Sequence, residues 1–89
     1  PAAKVEDAVI INSAAVVEHH AQLGEAVHLA PAAALAGRVT VGRCTLVGLG
    51  ARVLPGLKLG DHTTIGAGAV VTRDVESHVT VVGNPARKN

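Results

Sequence analysis

From Val5 to Val71 every sixth residue is aliphatic without exception: Val5, Ile11, Val17, Leu23, Leu29, Leu35, Val41, Val47, Val53, Leu59, Ile65 and Val71. A period of six fits neither the turn of a helix nor the alternation of an ordinary sheet, so the chain must coil on a fixed pitch. Four places after each aliphatic comes a second, mostly small or β-branched residue, among them Ala15, Ala21, Val27, Ala33, Val39, Thr45, Thr63, Ala69 and Val75. One large and one smaller inward side chain per hexad suit a narrow interior that no ring could enter, and the chain has no Phe, Trp, Tyr or Met. Three hexads to a triangular coil, stacked as parallel strands about 4.8 Å apart, predict an all-β fold, a left-handed parallel β-helix of about four coils. Gly24, Gly42, Gly48, Gly60 and Gly66 each directly follow an aliphatic position, where a tight corner is expected to favour a residue without Cβ.

The repeat makes residues 1–89 a single domain, with coils over 5–75 and a tail over 76–89. Val79, Val81 and Val82 are expected to form one last strand before Gly83-Asn84-Pro85 turns the chain. A solenoid of 89 residues buries its interior only by stacking coils, so further burial through a homo-oligomer is expected. Eight basic and seven acidic residues give a net charge of +1, and without aromatics for base stacking nucleic acid is not an expected partner. The single Cys44 excludes an intrachain disulfide. No apolar run is long enough for a membrane span and no signal-type segment opens the chain, which makes a cytoplasmic protein the expectation. The chain begins at Pro1 without an initiator Met, so natural, processed and fragment origins all stay open.

Residues 18 apart lie above one another in such a coil, which sorts the outward strand positions into three faces. The first carries Ile10, His28, Leu46 and Thr64; the second Val16, Ala34, Arg52 and Val70; the third Gln22, Thr40 and Lys58. Two faces are partly apolar, and different faces used head to tail close into a ring, of which a trimer is the simplest. His19, flanked by Glu18 and His20, falls at the corner between the second and third faces, opposite the first face that carries His28. These histidines can meet only if the corner of one subunit packs on the face of the next. Asn12 borders the face of His28 about one coil below it, and Gly37 stacks directly on His19, leaving space and a backbone N–H beside the imidazole.

Several motifs resemble the hexapeptide-repeat acyltransferase superfamily. They are Val17-Glu18-His19-His20, Gly24-Glu25-Ala26-Val27-His28, Leu35-Ala36-Gly37-Arg38-Val39, Val53-Leu54-Pro55-Gly56, Ile65-Gly66-Ala67-Gly68-Ala69-Val70-Val71 and Val82-Gly83-Asn84-Pro85-Ala86-Arg87. More narrowly they are similar to the C-terminal domain of sialic-acid O-acetyltransferases and of nucleotide-amino-sugar N-acetyltransferases of the bacillosamine and perosamine pathways. The resemblance implies a homotrimer binding acetyl-CoA between subunits and transferring acetyl to an amine or hydroxyl of a sugar or nucleotide sugar, with no metal. His19 matches the general base, a task suited to an imidazole at neutral pH. Gly37 matches the backbone donor to the thioester carbonyl. Asn12 and His28 match supporting residues from the neighbouring subunit. Gly48, Gly66, Ala67, Gly68 and Ala69 match the surface along which pantetheine lies, with Arg73 and Arg87 toward the CoA phosphates.

Two departures stand beside the resemblance. The family places an acidic residue after the catalytic His, where this chain has His20, so Glu18 is the expected substitute. The family's N-terminal sugar-nucleotide-binding domain is expected to be absent. Two alternatives follow: an inactive trimeric scaffold, and a metal enzyme of the γ-carbonic-anhydrase kind, whose three-His site needs another spacing than 19, 20 and 28. His62 and His78 are read as structural, and Cys44 as no nucleophile. The residues do not choose between nitrogen and oxygen as acceptor.

Overall fold

The computed structural model describes residues 3–89. Short strands follow one another in coils: β1 (Lys4–Val5), β2 (Ile10–Ile11) and β3 (Val16–Val17) form the first, and β4 (Gln22–Leu23), β5 (His28–Leu29) and β6 (Ala34–Leu35) the second. β7 (Thr40–Val41), β8 (Leu46–Val47) and β9 (Arg52–Val53) make the third, β10 (Lys58–Leu59), β11 (Thr64–Ile65) and β12 (Val70–Val71) the fourth. β13 (Thr80–Val82) and β14 (Arg87–Lys88) close the chain. Parallel pairing at 18-residue steps, such as Ile11 with Leu29 and Leu29 with Val47, stacks β2-β5-β8-β11, β3-β6-β9-β12 and β1-β4-β7-β10 into three faces. The result is an all-β parallel solenoid of about four turns, consistent with the expected left-handed β-helix, and its faces carry the residues that the period assigned to them.

The interior is the double column of the hexad. Leu23, Leu29, Leu35, Val41, Val47, Val53, Leu59, Ile65 and Val71 are buried, with Ala21, Val27, Ala33, Val39, Ala51 and Ala69 filling the space between them. Each large aliphatic contributes about 1.5–3 kcal/mol by leaving water. Val5 and Ile11 obey the period but remain 46% exposed, because no coil among the described residues lies beneath theirs to cover them. The two polar core positions satisfy each other: Thr63 Oγ1 donates to Thr45 Oγ1 at 3.1 Å, and Thr45 Oγ1 donates to the Gly60 carbonyl at 2.8 Å.

The corners work differently from the expectation. The left-handed residue falls three places after each aliphatic from Val5 to Ile65, at Ala8, Ala14, His20, Ala26, Ala32, Arg38, Cys44, Gly50, Gly56, His62 and Gly68. From Ala26 onward its N–H bonds to a carbonyl one coil below, as Arg38 does to His19 at 3.0 Å, which helps offset the about 1–2 kcal/mol of left-handed backbone at the non-glycine corners. The glycines one place after an aliphatic have ordinary φ. They are needed because coils approach closely: a Cβ on Gly48 would lie 2.7 Å from the Ile65 carbonyl oxygen and 2.8 Å from the Ala67 nitrogen.

The 18-residue step holds through Val71 and then shortens by two. Val75 bridges Leu59, and Thr80 and Val81 pair with Thr64 and Ile65. Val75 therefore takes an inward strand site on the third face, where the unbroken period had made it the small residue of a corner. β13 begins at Thr80, with Val79 half-buried just before it, and β14 returns antiparallel so that Val82 pairs with Arg87.

Candidate functional site

His19 sits on the edge between the second and third faces, two residues past β3, and the 18-residue step puts Gly37 and Pro55 above it on the same edge. The imidazole lies against Gly37: a Cβ there would stand 2.7 Å from His19 Cε1 and 2.8 Å from Nε2. Gly37 is buried, and its N–H makes no hydrogen bond among the described residues. An exposed ring and an unspent backbone donor are thus held side by side. His20, at φ +58, presents its ring edge-on to His19 with centroids 5.6 Å apart. Glu18 is exposed, and among the described residues no hydrogen bond joins it to either imidazole. Within one chain the His19 ring is therefore set by contact with Gly37 and His20 rather than by a carboxylate.

Asn12 and His28 meet as the stacking implied. Asn12 follows β2, His28 lies on β5, both are half-buried, and Asn12 Nδ2 is 2.8 Å from His28 Nε2. This pair lies on the first face, across the prism from His19, so one chain does not bring the two groups together. Among the described residues no three His, Cys, Asp or Glu side chains are grouped to hold a metal ion.

Of the small-residue run, Gly66, Ala67 and Gly68 present surface, and Gly68, at φ +69, faces open space. Ala69 is fully buried in the core, so its side chain is unavailable to any ligand. Gly48 lies one coil below Gly66 on the same edge, its N–H given to the Ile65 carbonyl at 2.8 Å. The hexad pattern overlooks Leu49 and Leu54, which are 58% and 43% exposed on the two edges that border the second face. Large apolar residues outside the period were the sequence signal for them.

Arg73 and Arg87, distant in sequence, come together at the C-terminal end. They border a cavity of 280 Å³ floored by Val75, Val79, Val81 and Ala86 and rimmed by Asp74, Glu76 and Lys88. Lys88 pairs with Glu76 at 3.6 Å, and Asp74 accepts the Lys58 N–H at 2.9 Å. Both arginines are left without an ion pair among the described residues.

No family model matches the chain. The serine acetyltransferase of Synechococcus elongatus is 38% identical over 81 residues, which are 89% of this chain and 33% of that protein. PerB from Caulobacter crescentus, solved in complex with CoA and GDP-perosamine, is 48% identical and superposes with a TM-score of 0.97 over 98% of this chain and 42% of its own. The acetyltransferase domain of PglB from Neisseria gonorrhoeae, in complex with acetyl coenzyme A, is 40% identical with a TM-score of 0.90 over 91% of this chain and 40% of its own. The chain thus spans 33% to 42% of the length of these relatives. In sequence and in structure it is similar to the hexapeptide-repeat acetyltransferases, and over its own length it has their β-solenoid.

Proposed function

We propose that this chain is the acetyl-transfer domain of an acetyl-CoA-dependent enzyme acting on an amine or hydroxyl of a sugar, most simply a nucleotide-linked amino sugar, in a homotrimer with sites between subunits. The observation that carries it is the His19–Gly37 contact, a base beside an unspent N–H donor. It sits on a solenoid 48% identical to one solved with CoA and GDP-perosamine. His19 takes the proton from the acceptor as its nitrogen or oxygen attacks the thioester carbonyl carbon. The Gly37 N–H bonds the carbonyl oxygen as it gains charge. The C–S bond then breaks, CoA leaves as its thiolate, and the proton held on His19 is available to neutralise it. Acetyl passes directly to the acceptor, and no covalent acyl-enzyme is involved.

The donor fits the shape of the edge. Cβ-less Gly37 leaves room at the reacting end, Leu54 and Pro55 continue the edge as an apolar wall, and Arg73 and Arg87 wait at the far end for phosphate. Gly48, Gly66, Ala67 and Gly68 on the other border of the second face would line the groove from a neighbouring subunit, which also supplies Asn12 and His28. Calorimetric titration of the purified oligomer with acetyl-CoA, with a chelator present, tests the reading. Saturable binding at one site per chain, followed by acetyl transfer to an amino sugar, is expected. A folded trimer that binds no acetyl-CoA would be a scaffold and would sink the proposal.

A further inference from the structure

We propose that His62 and His78 together bind a borderline divalent metal ion, of the zinc, nickel or copper class, at the corner between the third and first faces. The acetyltransferase reading uses neither residue and sets its chemistry on other sides of the prism. Both histidines stand at the left-handed corner position, with φ of +52 and +64. Each is tied to the coil below through its own N–H, His62 to the Arg43 carbonyl at 2.8 Å and His78 to the Asp61 carbonyl at 2.9 Å. Equal backbone and equal anchoring send the two side chains out of the corner side by side. Their rings lie stacked, 9° from parallel, with centroids 5.2 Å apart. The shortened last coil makes this pair: an unbroken step of 18 would bring Thr80 above His62, but Thr80 pairs with Thr64 instead and His78 takes the corner.

As structural residues the two rings would do little, since both residues are exposed and neither ring makes a hydrogen bond among the described residues. Imidazole is a ligand that these borderline ions favour, unlike magnesium or calcium, which take oxygen. Parallel rings at this spacing do not yet chelate. Nitrogens bind such an ion at about 2.0–2.1 Å, so two of them on neighbouring positions of one ion stand about 3 Å apart, and the rings must tip their outer edges together by about 2 Å. That is a rotation about side-chain bonds, and nothing on this exposed corner opposes it. Asp61, next to His62, adds negative charge; its Oδ1 accepts the Arg43 N–H at 3.0 Å, and its second oxygen has no hydrogen bond among the described residues. Two imidazoles hold the ion and water completes its shell. Cys44, one coil below His62 at the same corner, is half-buried and not needed as a ligand. An ion held here bridges the change of register, and so staples the last coil, with Asp74 and Glu76 at the rim of the C-terminal cavity, to the coil before it.

Calorimetric titration of the metal-free full chain with nickel(II) chloride at neutral pH, followed by thermal unfolding, tests the site. One ion per chain is expected, with a rise in unfolding temperature of about 5 °C or more at a hundredfold excess over Kd. His62→Asn and His78→Asn keep a residue that tolerates the left-handed corner, and each is expected to abolish both effects. Cys44→Ala is expected to keep them. A parent that takes up no ion, an Asn variant that still binds it, or loss of binding in Cys44→Ala overturns the proposal. A second measurement needs no substitution: substoichiometric nickel(II) is expected to broaden the ring resonances of His62 and His78 ahead of those of the other histidines. Broadening that begins at His19, His20 or His28 would place the ion elsewhere and overturn the proposal as well.

Discussion

Gly37 is the residue at which fold and chemistry meet. Its backbone is ordinary, so no conformational need keeps it glycine; the need is the His19 ring, which occupies the place of the missing Cβ. Gly37→Ala is expected to push the imidazole aside, because a side-chain ring can give way where backbone cannot. Thermal unfolding should then stay within a few degrees of the parent while kcat falls at least tenfold, and an unchanged kcat would show that the contact does not matter for turnover. His19→Ala should cost about 10²–10⁴ in rate and leave the oligomer intact, as checked by acetyl-transfer assay and sedimentation. Gly37 and Asn12 were legible in the sequence because an 18-residue step places side chains without any knowledge of contacts. The setting of the His19 ring was not, since it depends on the rotamers of His19 and His20 and on where Glu18 points.

At the scale of the hexad, two kinds of glycine occur, and they answer to different physics. A Cβ on Gly48 would strike the backbone of the next coil, at Ile65 and Ala67, whereas one on Gly50 meets nothing within 4 Å and suffers only its φ of +66. Gly48→Ala is expected to destabilise by about 1–3 kcal/mol, as overpacking against unyielding backbone does. Gly50→Ala should cost about 1 kcal/mol or less, since unfolded-chain entropy offsets part of the strain. Alanines at Ala8, Ala14, Ala26 and Ala32 already occupy the equivalent corner. Chemical denaturation of the two variants compares them, and a reversed order would refute this division of roles. Val41→Asp, at 1% exposure, places an unpaired charge in the core and should prevent folding; a soluble folded product would contradict the inward phase of the hexad. The period showed which positions carry left-handed turns only after the backbone was in view, because Ala, His, Arg or Cys stands at eight of those eleven corners and Gly at three. The shortening after Val71 was equally hidden: Val75 satisfies the unbroken count as well as the true register, and only the pairing of Leu59 with Val75 separates them.

As a whole, the molecule is a prism whose chemistry is split between its sides. His19 and Gly37 lie on one edge, Asn12 and His28 at the opposite face, and Ile10 and Leu46 expose apolar surface on that same face. On a single chain these two groups lie apart, and under the proposed function they are the halves of a site that only neighbouring subunits close. In the proposed reaction the two arginines at the C-terminal end and His19 near the other end would set a direction along the edge, with the donor's phosphates at one end and the acceptor at the other. Subunit mixing tests this arrangement most directly. His19→Ala and His28→Ala chains, unfolded and refolded together, are expected to regain acetyl transfer above the sum of the separate variants, because mixed trimers contain sites built from the intact half of each. Activity no greater than that sum, in trimers shown by mass to be mixed, would contradict a site shared between subunits.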